Sequence, residues 1–456
     1  METTIARIGW EFIRKATESM ATGSSFSEIE RRVMKDVKHC AAELMGTYLV
    51  HVDQAIAKDK HSRRQAGYTI ERKGDKRNLL TSFGEVTYNR TYYQRDSGGY
   101  EYLVDTTLGI DHYMRISEVV GLELANAARD MSYAKASHYI GNETISRQTV
   151  MSRVRESIVA KHTESIPLRK VSELHIDADE DHVALRNGKK TEVPLISVYE
   201  GIGHQGKRNF CKGIFHVSEY GKTSDDLWEQ VGFEITKRYD LTNTQLYLHG
   251  DGAPWIRTGL EWLPGAKFVL DKYHKNKAIT AMTAGLDNHR RTKAEHRIRK
   301  ALNEEDLEYF ALIRDNLCQE IPERTEIIQQ QAEYLQRFIK GISICARDPG
   351  ANNGGCTEPH VSHVLSVRLS SRPMAWSKKT LEKLAPVLAA GRVTSVGEAK
   401  IESPKSPPKS LRRTAAKASK AYLKYTLGLP TPEAIGVLPI TGRVTGLQVI
   451  LKGYAG

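Results

Sequence analysis

Three acidic residues occupy positions where a carboxylate is unusual. Asp179 lies in or at the end of a strand that begins LHI, Asp251 follows the apolar run LYL, and Glu358 opens a helix after a glycine-rich break. Aspartate is disfavoured in strands, and a buried carboxylate costs free energy unless it is paired or binds a metal. Carboxylates that converge bind hard divalent cations, and two such ions can promote phosphodiester displacement.

Alternative interpretations stay open at two of these positions. The residues that compete with Asp179 are Asp177, Glu180 and Asp181. Asp179 is preferred because it is nearer the end of the apolar run, whereas Asp177, on the same face of the strand, keeps an accessory role. Asp251 precedes Gly-Ala-Pro, so on local sequence alone it also fits a turn or a helix cap.

Histidines accompany the acids in two further patterns. Asp271 and His274 form a D-x-x-H motif at the end of a later apolar strand, which by itself is typical of a packed or capping pair. His360 and His363 are three residues apart on the helix of Glu358. Their spacing fits a metal-binding pair, but no third histidine or cysteine ligand is evident, which favours structural or supporting roles.

Composition bounds the class of protein. The chain has 456 residues, 40% of them hydrophobic, and a formal net charge of +12. This length allows two to four domains, and no apolar run is long enough to cross a bilayer, which excludes an integral membrane protein. The start of the sequence does not resemble a secretory signal, and the five cysteines are few and scattered. We therefore expect a cytoplasmic protein, with no disulfide framework.

The pattern of elements between residues 171 and 270 predicts an α/β fold. It gives three strands, a helix capped by Thr223 or Ser224, a strand, a helix and a strand, and the third strand is NFCKGIFHVSEYG. This is the order of a ribonuclease-H-like, mixed-sheet core. In such a sheet the first strand is central and the fourth is its neighbour, so acids on both would meet at one edge.

The rest of the chain divides around this core. A break at Gly23-Ser24-Ser25 interrupts the first helical region, and Ser25 or Ser27 is the candidate cap of the helix that follows. A hairpin with a turn at Phe83-Gly84 comes next. The predicted segments are a helical segment (1–60), a β-hairpin module (61–110), a helix-turn-helix-like domain (111–165), the first part of the core (170–274), an all-helical insertion (275–350), the last part of the core (351–390), and a basic Pro-rich linker with a short C-terminal module (391–456).

Three groups of basic or polar side chains are candidates for DNA contact. The helix-turn-helix-like segment turns at Gly141-Asn142, and its second helix, from about Ser146, would present Arg147, Gln148 and Arg153 outward. The insertion carries a basic cluster, and the segment from Ile401 to Pro430 carries another. Solvated surfaces account for such charge equally well, whereas phosphate contacts would make DNA affinity depend on salt. The arginines of the insertion cluster are Arg290, Arg291, Arg297 and Arg299.

The strings DADEDHVAL, GDGAPWI, FVLDKYHKNK and GCTEPHVSHVLSVRLSSRPMAWS resemble a family of bacterial insertion-sequence DDE transposases, long described as an uncharacterised protein family and related to Mutator-like transposases. The resemblance covers roughly residues 5–390. It implies a ribonuclease-H-like core with an all-helical insertion and a mostly helical N-terminal DNA-binding region. It also implies a catalytic, metal-binding triad of Asp179, Asp251 and Glu358, with Asp271 and His274 in support.

From this resemblance we expect a transposase that binds the ends of its element. Cleavage and strand transfer would use Mg²⁺, with Mn²⁺ as a substitute, on double-stranded DNA. A homodimer or higher oligomer on DNA and association with the nucleoid are further expectations. Two alternatives remain: a metal-dependent nuclease on the same core, and a domesticated DNA-binding protein without transposition. The second would be marked by loss of a triad acid, and all three acids are present.

Overall fold

A computed structural model describes residues 2–21, 25–141, 145–158, 167–206, 208–391 and 395–396. They divide into two units, and the described residues of the first unit end at residue 120. Its elements in chain order are α1 (Glu2–Ala21), α2 (Phe26–Lys58), α3 (Lys60–Gln65), β1 (Tyr68–Thr81), β2 (Gly84–Arg95), β3 (Tyr100–Tyr102) and α4 (Leu103–Leu108). Helix α5 (Glu118–Asp130) leads into the second unit.

The first unit is a long helix packed on an antiparallel sheet. Of the two candidate caps, Ser25 and Ser27, Ser25 is the N-cap of helix α2, and its N–H donates to the Glu28 carboxylate. Strands β1 and β2 form the predicted hairpin, and β3 pairs with β2. A Cβ at Gly46 would lie 2.7 Å from the carbonyl oxygen of Thr87, so glycine lets α2 approach the sheet closely. The helix and the hairpin therefore share one core.

The described part of the second unit continues with four helices and ten strands, and five of these strands form a central sheet. These elements are α6 (Tyr133–Gly141), α7 (Arg147–Arg155), β4 (Ser157–Ile158), β5 (Arg169–Lys170), β6 (Glu173–Ala184), β7 (Lys190–Tyr199), β8 (Ile202–Gln205), β9 (Arg208–Cys211), β10 (Phe215–Val217), α8 (Ser224–Thr236), β11 (Tyr239–Asp240), β12 (Gln245–Gly250), α9 (Pro254–Trp262) and β13 (Lys267–Leu270). Thr223 caps α8, as predicted, by accepting from the N–H of Asp226.

The central sheet is mixed and has five strands in the order β10-β7-β6-β12-β13. Strand β7 is antiparallel to both of its neighbours, whereas β6, β12 and β13 are parallel. The prediction of a single third strand is wrong, because this segment forms two strands, β9 and β10. Gly213, with φ of +61°, lies between them, and β9 pairs with β8 in a separate hairpin.

Strand β6 has two different faces. Leu174, Ile176 and Ala178 lie in an apolar core that helices α8 and α9 complete. The intervening residues on the other face are polar and buried. They are His175, Asp177, Asp179 and Asp181. Because side chains alternate along a strand, these four residues form one row.

An all-helical segment follows β13 and has its own apolar core. It contains α10 (Lys272–Thr283), α11 (Asn288–Glu304), α12 (Leu307–Glu320), a 3₁₀ turn (Pro322–Arg324), α13 (Thr325–Arg337) and α14 (Ile339–Arg347). After a second 3₁₀ turn (Pro349–Asn352) come α15 (Thr357–Val361), a π-helical turn (Ser362–Ser366), α16 (Val367–Leu369), α17 (Lys378–Ala390) and β14 (Ser395–Val396). In the described part of the chain, no helix could span a membrane.

Candidate active site

Strand register brings Asp179 and Asp251 to the same edge of the sheet. Parallel strands β6 and β12 pair Asp177 with His249. Asp179 and Asp251 each follow two residues later, so both lie at the same level and on the same face. A Cβ at Gly250 would lie 3.0 Å from the carbonyl oxygen of Ala178, so the backbones approach closely just before the two acids.

This pairing changes the acidity of Asp179, which is only 9% exposed. Burial raises its pKa to about 7, and the charges of Glu180 and Asp251 act in the same direction. The backbone N–H of Glu180 and the imidazole of His274 oppose the shift but do not overcome it. Asp179 is thus a buried carboxylate beside the half-buried Asp251, and the nearby positive charge does not offset the cost of its burial.

Asp271 and His274 belong to the same electrostatic group. One Asp271 oxygen accepts from the backbone N–H groups of Tyr273 and His274, while His274 Nδ1 lies 3.3 Å away. Burial would raise the pKa of Asp271, but hydrogen bonds from His274 and Thr357 lower it below its usual value. The hydrogen bond to Asp271 raises the pKa of His274, and the charges of Asp179 and Asp251 add to that effect.

The third predicted acid, Glu358, does not converge with the other two in this structure. Its side chain is exposed at the start of α15, whereas the Thr357 hydroxyl points inward and donates to Asp271 over 2.9 Å. Successive helical residues project about 100° apart, so an inward Thr357 turns Glu358 toward solvent. Within the described ranges, no three acidic, histidine or cysteine side chains form a metal-binding group.

The predicted accessory acid, Asp177, is completely enclosed. Its Oδ2 accepts from the Tyr199 hydroxyl over 2.9 Å and from the Cys356 N–H over 2.7 Å. Burial alone would raise the pKa of Asp177, but His360, His249 and Tyr199 together lower it. The hydrogen bond from the Cys356 N–H to Asp177 therefore holds the glycine-rich loop before Glu358 against the sheet.

Sequence reasoning missed a buried histidine layer beside these acids. His175 Nδ1 and His249 Nε2 are 3.0 Å apart, and a Cβ at Gly354 would lie 2.4 Å from that His175 nitrogen. Burial lowers the pKa of His249 to about 4, so it remains neutral. The alternation of polar residues from His175 to Asp181, and a histidine two residues before Asp251, are signals that could have revealed it.

The two histidines after Glu358 occupy different environments. His360 is half-buried, with Nδ1 3.5 Å from Asp177 Oδ2 and Nε2 3.5 Å from Cys211 Sγ. His363 is exposed, so the two histidines do not form a metal-binding pair. The π-helical turn that starts at Ser362 changes the helical phase between them. None of the five cysteines forms a disulfide bond.

The helix-turn-helix-like segment exposes two of its three candidate residues. Helix α7 begins after Ser146, whose hydroxyl accepts from the N–H of Thr149, and Arg147 and Gln148 are exposed on its first turn. Arg153 instead forms an ion pair with Glu156 at 2.8 Å and is half-buried. Asn142, in the predicted turn, lies outside the described residues. Base contact by Arg147 and Gln148 stays a prediction.

The four insertion arginines also differ from one another. Arg290 bridges Asp287 and Glu320, and Arg299 pairs with Glu295. Arg291 donates to the carbonyl of Leu286. Arg297 is exposed and makes no hydrogen bond or ion pair within the described part of the chain. The basic segment 401–430 and nearly all of the predicted C-terminal module lie outside the described residues.

The donor set at the sheet edge fits a hard divalent cation. Asp179 and Asp251 provide carboxylate oxygens, and a cation would favour the ionised form of Asp179, whose pKa is raised chiefly by burial. Mg²⁺ characteristically binds proteins through one or two carboxylates and takes its other oxygens from water and substrate phosphates. Two protein carboxylates are therefore a sufficient starting set.

Comparison with known proteins identifies a family. The model of the uncharacterised protein family UPF0236 matches residues 19–403. This chain belongs to UPF0236. A UPF0236 protein of Caldanaerobacter subterraneus subsp. tengcongensis is 34% identical over 381 residues, covering 82% of this chain and 79% of the relative. A UPF0236 protein of Streptococcus gallolyticus is 25% identical over 392 residues, covering 82% and 84%.

Proposed function

We propose that this UPF0236 protein is the DDE-type transposase of a bacterial insertion sequence, related to Mutator-like transposases, and that it cleaves and joins DNA in a Mg²⁺-dependent reaction. The fold supports the ribonuclease-H-like part of this proposal. Counted along the chain, the five strands of the sheet lie in the order third, second, first, fourth, fifth, with only the second antiparallel. The acids on the first and fourth strands consequently meet.

The observation that carries the proposal is the meeting of buried Asp179 with the half-buried Asp251 at one edge of the sheet. Burying Asp179 there gains no stability, because burial and the negative charge of Asp251 both raise the cost of ionising it. Such an arrangement is typical of a functional site, where a bound cation balances the charge.

The roles of the residues follow from their contacts. Asp179 and Asp251 would hold Mg²⁺, which when bound activates an attacking oxygen and stabilises the leaving one. His274 retains its proton to higher pH than a free histidine, so it can offer a positive charge to a phosphate beside the two acids. Asp271 orients His274 and, through Thr357, holds the start of α15.

Glu358 would complete the site by a local rearrangement of the segment that precedes it. The Lys272 ammonium donates to the carbonyls of Asn352 and Gly354 and so restrains the loop before α15. A rotation of the first turn of α15 would exchange the inward Thr357 for Glu358. A bound cation would supply the positive charge that makes this inward position favourable for a carboxylate.

The names of relatives add independent support. The name of one Caldanaerobacter relative joins eleven locus designations from a single organism, and another joins four. A protein encoded at many loci of one genome is what a replicating mobile element produces. A nuclease with a housekeeping role gives no reason for such multiplicity.

Cleavage and joining of the element's own ends tests the proposal. We expect Asp179→Asn and Glu358→Gln to reduce cleavage by at least roughly 100-fold, since each removes a charged group that the transition state requires. Asp315→Asn, at an exposed ion pair in the insertion, is the matched control and should cleave normally. The DNA is a duplex carrying the sequences that border the gene, where the proposal places the inverted repeats, incubated with Mg²⁺ and a target plasmid.

Three results would count against the assignment. Normal cleavage by Asp179→Asn would contradict the assignment of the active site. Normal cleavage by Glu358→Gln would contradict only the assignment of Glu358 as the third acid. Hydrolysis without any joined product would favour the nuclease alternative. Circular dichroism and end binding of each variant establish that a loss of cleavage does not come from misfolding.

A further inference from the structure

The C-terminal end of α13, a helix of the insertion, lies against the turn that carries Asp251. The Tyr334 hydroxyl donates to the backbone carbonyl of Asp251 over 2.8 Å. Phe338 follows four residues later, and a Cβ at Gly252 would lie 2.2 Å from its Cζ, so the ring rests directly on the glycine backbone. Residues four apart are neighbours on one face of a helix, so Tyr334 and Phe338 approach the Asp251 turn together.

The turn after Asp251 is shaped to receive this end of the insertion. Gly252 has a φ of +89°, a left-handed conformation that residues with a Cβ rarely adopt. Phe338, which packs on it, is buried in the apolar core of the insertion. The rings of Tyr334 and Phe268 pack on Phe338 with centroids 5.3 Å and 5.7 Å away. The insertion core therefore extends to the residue next to Asp251.

The Asp251 carboxylate is held at one oxygen and available at the other. Its Oδ1 accepts from the backbone N–H of Ala253 over 2.8 Å. Among the residues that the structure describes, none donates a hydrogen bond to Oδ2. The bond from Tyr334 fixes the peptide group of the same residue. Together the two bonds determine the direction of Oδ2, because a shift of the peptide group would carry the carboxylate with it.

The Tyr334 hydroxyl is close to the other acids of the site as well. Its side chain is half-buried, and burial raises the pKa of Tyr334. The charges of Asp251, Asp271 and Asp179 act in the same direction. A tyrosine of the insertion thus lies within the electrostatic reach of all three carboxylates, as a neutral donor.

We propose that Tyr334 is a positioning residue of the active site, whose hydrogen bond to the Asp251 carbonyl holds the Asp251 carboxylate beside Asp179 for a divalent cation. This inference rests on the proposed function and makes the insertion a part of the active site. Mg²⁺ demands near-ideal octahedral geometry, so a small displacement of one carboxylate lowers the affinity for the ion. Tyr334 acts through Asp251, so its loss should weaken cation binding without preventing the reaction.

Mn²⁺ binding to the full-length protein without DNA, followed by electron paramagnetic resonance of the free ion, tests this inference. We expect Tyr334→Phe to weaken Mn²⁺ binding roughly threefold to tenfold, the effect of about one lost hydrogen bond, since the ring and its packing are kept. Tyr309→Phe is the matched control, because it removes a hydroxyl from another tyrosine packed against the insertion core. Asp251→Asn removes the ligand itself and should lose more affinity than Tyr334→Phe.

Cleavage measured across a range of Mg²⁺ concentrations separates positioning from a general structural role. Tyr334→Phe should need several-fold more Mg²⁺ for half-maximal cleavage and should approach the parent rate at saturating Mg²⁺. A rate reduced by the same factor at every Mg²⁺ concentration would indicate a structural role and overturn the proposal. Urea denaturation of each variant establishes that the fold is retained.

The binding results distinguish this inference from the proposed function. Mn²⁺ affinity that is lost in Asp251→Asn but unchanged in Tyr334→Phe would overturn the role of Tyr334 and leave the active site intact. An equal loss in Tyr309→Phe would also overturn it, since the effect would not depend on the contact with Asp251. A parent protein that binds no Mn²⁺ would instead contradict the proposed cation site, and the role of Tyr334 with it.

Discussion

Asp179 carries its charge at a high energetic cost, and that cost depends on pH. Its pKa is raised from 3.8 to about 7, so the folded protein holds a proton that the unfolded chain releases above pH 4. Stability is therefore lost as pH rises from about 4 to about 7. In EDTA at pH 8 we expect Asp179→Asn to be more stable than the parent protein by roughly 2–4 kcal/mol. Urea denaturation at several pH values measures this difference, which should vanish near pH 4.

Asp177, two residues earlier on the same strand, serves as the control of opposite sign. Its pKa is lowered, so its charge stabilises the fold above the pKa of the unfolded chain, and this contribution is lost as pH falls. Asp177→Asn should consequently destabilise the protein at pH 8. If both asparagine variants shifted stability in the same direction at pH 8, the contrast drawn between the two carboxylates would be incorrect.

The loop before α15 depends on one small residue. A Cβ at Gly354 would lie 2.4 Å from His175 Nδ1 and 2.6 Å from His249 Nε2. Both rings are buried in the sheet and have nowhere to move. Gly354→Ala should therefore destabilise the protein by roughly 1–3 kcal/mol and lift the loop that leads to Glu358. The measurement is the free energy of unfolding in urea.

A helical glycine without neighbours provides the comparison. Gly232 in α8 has no atom within 4 Å of its would-be Cβ, and alanine is the better helix former. Gly232→Ala should leave stability unchanged or increase it slightly. Equal losses in the two variants would show that the histidine pair does not confine the loop.

The sequence best predicted those features of the fold that depend on the residue pattern within one helix, strand or turn. Alternation along β6 predicted a strand with Asp177 and Asp179 on one face, and strand order predicted that β12 lies beside it. The hairpin of β1 and β2 and the start of α2 at Ser25 were also predicted. Each of these features depends on local periodicity, a turn or a cap.

Features that depend on contacts between distant segments were missed. The histidine layer forms only because His249, His175 and Gly354 meet from three segments. The outward position of Glu358 follows from the hydrogen bond between Thr357 and Asp271, which no periodicity reveals. The division of the third strand depends on a turn at Gly213 and on β8 as a partner for β9.

Net charge alone does not describe the DNA-binding capacity of the molecule. The chain carries a net charge of +12, but only cations that reach phosphate release counterions. Arg297→Ala should reduce the slope of log affinity against log salt for duplex DNA by about 0.9 if this exposed side chain contacts one phosphate. Arg290 already bridges Asp287 and Glu320, so Arg290→Ala should change the slope much less.

A salt titration of the two variants alongside the parent protein distinguishes them. The same charge is removed in each case, so the comparison isolates whether the arginine is already paired within the insertion. Parallel lines for all three proteins would mean that the insertion surface makes no phosphate contact, and the proposed DNA binding would then need another surface.

The polar face of the central sheet has a consequence for the protein as it is synthesised. All five strands are complete once residue 270 has emerged from the ribosome, but Asp177 and Asp181 take hydrogen bonds from Cys356, Ser366 and Ser370. The insertion, with a core of its own, is made in the interval. A nascent chain therefore carries an uncovered row of acids until Cys356, Ser366 and Ser370 have been added, and a truncated chain ending in the insertion has no means of covering it.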